Sequence, residues 1–274
     1  MLKLDVCLET VFTNLPVEER IRKVASAGYD RVEMWFHDAT FNGSSCAGPA
    51  KDFSAIKQVL QETGVKVNNL VVNAPDGSLG GSLVKKEDRE IYLERLKTLI
   101  PIANSIGCTQ AITCTGNEVS NLSRSKMRKN IIETLGVAVE VARRNNFTLL
   151  LEPLNTYVDH PGYFLNSAKE GAKIVREINN PSLKLLYDLY HMQIMEGNLL
   201  DFIEKNMDII GHFHAAGVPG RHELFNSEIN YQFVIKKIEE FGYRGCFGLE
   251  YFPALPDHQA SLSATKKYLS GVSE

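Results

Sequence analysis

Eight times along the chain, a short apolar or alternating run gives way to a stretch with helical periodicity, and this alternation restricts the fold more than any other feature. The candidate strands cover residues 3–8, 31–36, 65–72, 109–114, 148–152, 184–188, 209–215 and 246–251. The amphipathic stretches between and after them cover 17–27, 53–63, 86–106, 123–145, 168–178, 199–206, 231–241 and 258–269. A period of two marks a strand and a period near 3.6 marks a helix packed on one face. Gly28, Gly64, Gly107 and Gly242 each follow a periodic run, as helix stops do. Ser167-Ala-Lys-Glu170 has the spacing of a capping box. Strands separated by helices pair in parallel, because parallel neighbours need a crossover connection. Such a sheet either stays open or closes. No G-x-G-x-x-G follows the first strand, and a count of eight favours closure. The predicted fold is therefore α/β: a single (β/α)8 TIM barrel over residues 1–274, with its active site at the C-terminal face.

The length of 274 residues and a hydrophobic fraction of 44% suffice for one large core. No composition break, linker or repeat marks a second domain. The formal net charge of −3 argues mildly against a nucleic-acid or membrane-surface partner, since either would favour a basic face. The five cysteines form no C-x-x-C pair, so they read as free thiols in a reducing compartment. The N-terminal residues lack the pattern of a signal peptide and no segment is long enough to cross a bilayer, so a cytoplasmic protein is expected. The two longest connections, 38–52 and 73–85, both follow strands and are expected to overhang the active-site end as lids.

The informative charges sit inside the apolar strands. Glu152, Asp188 and Glu250 each end an apolar run, and C-terminal strand ends converge on one mouth of a barrel. Three carboxylates brought together there repel one another unless a cation or protons neutralise them. His212 and His214 share one face of their strand, opposite Phe213, and His214 lies nearer the carboxylates. A single strand-end carboxylate is more often a helix cap or an ion-pair partner, and Glu33 is read that way, or as a support behind the ligands. His212 is as readable as a hydrogen-bonded core histidine as it is a ligand. The joint pattern of Glu152, Asp188, His214 and Glu250 points instead to one divalent metal ion. Oxygen and nitrogen ligands without thiolates suit manganese, magnesium or cobalt, with zinc less favoured.

Other polar groups flank that mouth. His191 follows Asp188 on the expected rim loop, and Pro219-Gly-Arg-His-Glu223 forms a turn that aims Arg221 across the mouth. A guanidinium there can grip a carboxylate or phosphate, whereas the bland alternative is a surface pair with Glu223. His222 and Glu223 are open to either reading. Asn73, Asn155, Trp35 and Tyr163 are further candidates for the pocket wall. Cys114 ends a strand but has no motif around it, so it reads as a packed thiol.

These residues resemble the xylose-isomerase-like superfamily of sugar isomerases and epimerases, and within it the hydroxypyruvate isomerases. The resemblance is carried by Leu151-Glu-Pro-Leu-Asn155, Pro161-Gly-Tyr-Phe-Leu-Asn166, Tyr187-Asp-Leu-Tyr-His191 through Gly197, Gly211-His-Phe-His214, Val218-Pro-Gly-Arg-His-Glu223, Glu228-Ile-Asn-Tyr231 and Gly248-Leu-Glu-Tyr-Phe-Pro253. It covers the C-terminal half strongly, and the N-terminal half through length and element order. It implies a divalent metal on Glu152, Asp188, His214 and Glu250, with Glu152 and Glu250 as the acid–base pair. It also implies substrate contacts from His191 and Arg221, to which the local reading adds Glu223 and Asn155. Two positions depart from the hydroxypyruvate isomerase pattern. Glutamine is frequent there in place of His214, where ketose 3-epimerases carry histidine, and the stretch from His222 to Glu228 lacks the usual Pro- and Gly-rich continuation. The expected activity is enediolate proton transfer on a small-molecule α-hydroxy carbonyl compound, as between hydroxypyruvate and tartronate semialdehyde. The alternatives are a ketose 3-epimerase or a metal-dependent dehydratase on the same barrel. An endonuclease of the apurinic-site type would need more rim histidines, and a non-catalytic barrel would not need the four-residue set. Barrels of this kind often associate, so a homo-oligomer is compatible with the sequence.

Overall fold

The computed structural model describes residues 2–46 and 48–271; Met1, Ala47 and residues 272–274 of the expected 1–274 barrel lie outside the described residues. The elements run β1 (Lys3–Cys7), α1 (Val17–Ser26), β2 (Arg31–Glu33), α2 (Phe53–Thr63), β3 (Lys66–Val67), β4 (Leu70–Val71), α3 (Arg89–Ser105), β5 (Gln110–Thr113) and α4 (Arg124–Arg144). They continue with β6 (Thr148–Leu151), α5 (Ala168–Ile178), β7 (Leu183–Asp188), α6 (Leu189–Met195), α7 (Leu199–Asn206), β8 (Ile210–Ala215), α8 (Tyr231–Glu240), β9 (Cys246–Leu249) and α9 (His258–Leu269).

Every strand pair is parallel, and the spatial order is β3-β2-β1-β9-β8-β7-β6-β5-β4. Its two outer strands, β3 and β4, are halves of the one segment predicted over 65–72, so the sheet curls round into a TIM barrel. The segment is divided at Asn68 and Asn69 because their amides bond inward. Asn68 Nδ2 donates to Asp5 Oδ2 at 2.6 Å, and Asn69 Nδ2 donates to Glu33 Oε2 at 2.6 Å. Backbone pairing survives the break, with Asn68 N donating to Val32 O and Met34 N to Asn69 O. The two amides thus meet buried acids that would be costly alone.

The helix stops lie where the sequence placed them. Gly28, Gly64, Gly107 and Gly242 all have positive φ, which a residue without Cβ adopts freely. Ser167 caps α5 by accepting from Glu170 N, but the Glu170 carboxylate accepts from Arg124 instead of completing a capping box. One helix was not expected: α6 starts at once after β7, because Asp188 Oδ1 accepts from the amides of Tyr190 and His191.

Strand β8 shows how the barrel divides its two faces. Phe213 points outward and packs on Tyr243 and Phe247, with ring centroids 4.8 and 6.3 Å away. His212 and His214 point inward, buried, with ring centroids 4.9 Å apart. Room for them comes from Gly248 on β9. A Cβ there would lie 2.7 Å from His214 Cδ2, 2.9 Å from His212 Nε2 and 3.2 Å from Glu33 Oε1. Gly248→Ala is therefore expected to overpack the barrel axis and cost about 1–3 kcal/mol in a urea unfolding experiment. An unchanged midpoint would show that the rings have slack.

Candidate active site

The C-terminal mouth of the barrel collects the four residues that sequence reasoning singled out. Glu152 follows β6, Asp188 ends β7, His214 lies on β8 and Glu250 follows β9. One ligand-capable atom from each lies within 4.8 Å of the others, and all four residues are buried. Parallel register explains the convergence, since Asp188 pairs directly with His214 and Glu250 N donates to Ala215 O.

Each member is held by different neighbours. Asp188 uses Oδ1 to cap α6, so it is both a helix cap and a site residue. Tyr163 Oη fixes the Glu152 backbone by donating to its carbonyl at 2.9 Å. Glu250 Oε1 accepts from Trp35 Nε1 at 2.8 Å, and Glu250 Oε2 accepts from Arg221 Nη2 at 2.6 Å. His214 Nε2 contacts Glu33 at 3.1 Å, and Glu33 also meets His212 Nε2 at 3.3 Å. A carboxylate behind an imidazole orients the ring and leaves its other nitrogen for the site. That nitrogen, Nδ1, lies 3.5 Å from both Glu152 Oε1 and Glu250 Oε2. His214 Nδ1 and Glu152 Oε1 are buried and make no hydrogen bond among the described residues. Two orphaned polar atoms facing each other inside a cluster of carboxylates fit a cation, so these groups could hold a metal ion. Glu33, His212 and His214 form a second close group, in which Glu33 meets the Nε2 atoms of both imidazoles.

The electrostatics follow the geometry. Burial raises Asp188 to about 7, and burial likewise raises Glu152. Burial opposes the charge on Glu250 as well, but Arg221 and His214 outweigh it and hold that carboxyl well below the usual range. Burial would lower His214, yet Glu33 and Glu250 carry it well above its ordinary value. Glu33 is held down to about 2 because His214 and His212 overcome its burial.

A cavity of about 440 Å³ opens above the cluster, lined at its charged end by Glu152, Glu250, His191, Arg221, Asp159 and His160. Arg221 does not pair with Glu223. It has φ +59°, stands over the rings of Tyr190 and Phe252, and lies 4.0 Å from Asp159. His191 sits in the first turn of α6, buried, not on a rim loop, and its Nε2 lies 3.6 Å from Asp188 Oδ2. The structure places Asn155 and Glu223, both expected as substrate contacts, as follows. Asn155 lies behind the wall, with its Nδ2 2.7 Å from His191 Nδ1 and 2.6 Å from Asp159 Oδ2. Glu223 is turned away from the cavity, accepting from the amides of Ala254 and Leu255 and from Ser261 Oγ. Its carboxylate braces the chain after β9 with three accepted hydrogen bonds. Trp35 lines the cavity, whereas Asn73 and Tyr163 bond backbone behind it. His222 is exposed and meets the Phe252 carbonyl through Nδ1. Burial pushes the Cys114 thiol well up, as befits a packed residue.

Sequence reasoning missed Asp159 and His160, which lie in a loop without periodicity. It also missed Glu9 and Lys51, a buried ion pair at 2.9 Å beside the mouth. Glu9 Oε2 accepts from Trp35 N at 2.9 Å, so the pair helps set the indole that holds Glu250.

A family model described as xylose isomerase-like TIM barrel matches residues 21–268. A Danio rerio protein named putative hydroxypyruvate isomerase is 30% identical over 277 residues, covering 97% of this chain and 95% of that one. The hydroxypyruvate isomerase of Escherichia coli is 28% identical, covering 92% and 94%. A crystal structure from Brucella melitensis, described as AP endonuclease, family 2, superposes with a TM-score of 0.87 at 28% identity, covering 98% and 99%. No helix of the described residues is long and apolar enough to cross a membrane.

A cation entering this cluster has to displace protons. Asp188, raised to about 7, and His214, raised well above its ordinary value, both carry protons below neutrality in the metal-free protein. Manganese affinity measured by calorimetry is therefore expected to rise by about tenfold or more per pH unit between pH 6 and 7, with proton release detectable by changing buffers. An affinity independent of pH would mean that these groups are not the ligands.

Proposed function

We propose that this chain, which belongs to the xylose isomerase-like TIM-barrel family and is an isomerase or epimerase, is a metal-dependent isomerase of small α-hydroxy carbonyl acids. Hydroxypyruvate and tartronate semialdehyde are the proposed substrate pair. The observation that carries this reading is the convergence of Glu152, Asp188, His214 and Glu250, with His214 Nδ1 and Glu152 Oε1 left unpaired between them. These four residues are the proposed ligands. Manganese or magnesium fits their oxygen-rich set, and when bound supplies Lewis-acid stabilisation of negative charge on the substrate oxygens.

The chain's own groups divide the remaining work. Glu250, kept ionised by Arg221 and His214, takes a proton from the carbon that bears the hydroxyl. The electrons of that C–H bond form the carbon–carbon double bond of an enediolate. A proton then returns to the neighbouring carbon, and the hydroxyl proton passes from one oxygen to the other, so atoms and charge balance. Glu152, whose carboxyl holds a proton more readily, is the matching donor. Arg221, fixed over the Tyr190 ring, faces the substrate carboxylate, and His191 offers an Nε2 that makes no hydrogen bond among the described residues. Return of the proton to the same carbon from the opposite face would be an epimerisation. The histidine at position 214, as in ketose 3-epimerases, keeps that as the second reading.

The test is proton exchange. With manganese in deuterated water, hydroxypyruvate is expected to take up solvent deuterium, and Glu152→Gln or Glu250→Gln to slow uptake by about 10²–10⁴-fold. Near-normal exchange in both variants would remove these two residues from the acid–base role.

A further inference from the structure

The Glu250 carboxylate is gripped on both oxygens, by Arg221 Nη2 on Oε2 at 2.6 Å and by Trp35 Nε1 on Oε1 at 2.8 Å. Trp35 lies two residues past the end of β2, where the pairing with β1 runs out. Leu8 N donates to Glu33 O, and the next bond of a parallel ladder would run from Trp35 N to Leu8 O. Leu8 O is taken instead by Arg20 Nη1 at 3.0 Å. Trp35 N donates to Glu9 Oε2 at 2.9 Å. A side chain thus replaces the ladder at the very residue that carries the indole.

Glu9 holds that place only because Lys51 is there. The ammonium lies 2.9 Å from Glu9 Oε1, and both side chains are wholly buried. Lys51 Nζ also donates to Phe36 O at 2.5 Å and to Ala39 O at 2.7 Å, so three partners meet its three hydrogens. The peptide is therefore held on both sides of the indole, through Trp35 N by Glu9 and through Phe36 O by Lys51. Arg20, the other buried cation near Glu9, is engaged by the carbonyls of Leu8, Thr13, Leu15 and Phe41. A buried ion pair seldom stabilises a fold more than apolar residues of the same size do, so stability is a weak reason for this one. Its distinctive effect is on where Trp35 points.

We propose that Lys51, acting through Glu9 and Trp35, is a positioning residue for Glu250. It fixes the indole N–H that sets the plane of that carboxylate, and with it the direction in which Glu250 faces metal and substrate. This rests on the roles given to Glu250 above, and it traces their geometry to a lysine at the end of the connection after β2, next to the Asp52 that caps α2.

A double-mutant cycle separates this role from simple support of the fold. Glu9→Leu with Lys51→Met removes the anchor without leaving a buried charge unpaired, so the protein is expected to fold. Its maximal rate of deuterium exchange on hydroxypyruvate, and its manganese affinity by calorimetry, are each expected to fall about 10–100-fold. Glu9→Gln with Lys51→Met, whose amide oxygen can again accept from Trp35 N, should recover most of both losses. In a Trp35→Phe background the indole N–H is already gone, and Glu9→Leu with Lys51→Met should there cost less than about twofold more. Loss of folded protein would instead lower both backgrounds alike. Trp35 is the only tryptophan of the chain, and its emission in the metal-free protein is expected to shift when the anchor is removed and to return with Gln at position 9. Equal losses in the two backgrounds, full exchange and affinity without the anchor, or an emission that does not move would each overturn the proposal. Absence of exchange in the unsubstituted protein removes the isomerase reading alone, because the cycle is still read on manganese affinity.

Discussion

The buried carboxylates of Glu9, Glu33, Glu152, Asp188 and Glu250 crowd at or just beneath one mouth of the barrel, and the surrounding structure is arranged to compensate them. An uncompensated buried charge costs several kcal/mol, so each must find a partner or take up a proton. Glu9 has Lys51 and the Trp35 amide, and Glu33 has two imidazoles and the Asn69 amide. Asp188 has two amides at the start of α6, and Glu250 has Arg221 and the Trp35 indole. Glu152 is the exception: its nearest cationic group is His214, at 3.5 Å without a hydrogen bond. That deficit sits where the four strand-end residues meet.

The barrel itself was legible because its signals are repeated. Strand and helix periods alternate eight times, and glycine stops recur at four helix ends, so errors at single boundaries do not alter the topology. The carboxylates were legible for a related reason, since a charge ending an apolar strand has few alternatives to a functional mouth. What stayed hidden depends on contacts distant in sequence. The break at Asn68 and Asn69 answers to Asp5 and Glu33 on other strands. Helix α6 is short, and its cap is a residue already read as a ligand.

The two sides of the mouth differ in the same way that their strands do. β6 to β9 carry Glu152, Asp188, His214 and Glu250, whereas Val71 and Ile112 from β4 and β5 present apolar side chains to the same cavity. Segregation of this kind lowers the cost of the charged cluster, because its partners can be concentrated on one side.

The loops over the mouth raise a separate problem, since long connections carry backbone groups with no ladder to join. Each is tied by a buried polar side chain. Lys51 donates to the carbonyls of Phe36 and Ala39 in the connection after β2. Asn73 bonds Gly81 O and both backbone groups of Cys114. Asn155 Oδ1 accepts from the amides of Val158 and Asp159, placing Asp159 beside Arg221. Glu223 ties the turn that bears Arg221 to the chain after β9. Asn155 and Glu223, read from the sequence as substrate contacts, are placed by the structure as such anchors. In sequence, a polar residue that anchors an active-site loop occupies the same neighbourhood as one that touches substrate. Only the direction of its side chain separates them, and that direction is set by backbone groups many residues away. The anchors still bear on function, because a guanidinium or imidazole on a loop can be held to a fraction of an ångström only if the loop beneath it is fixed.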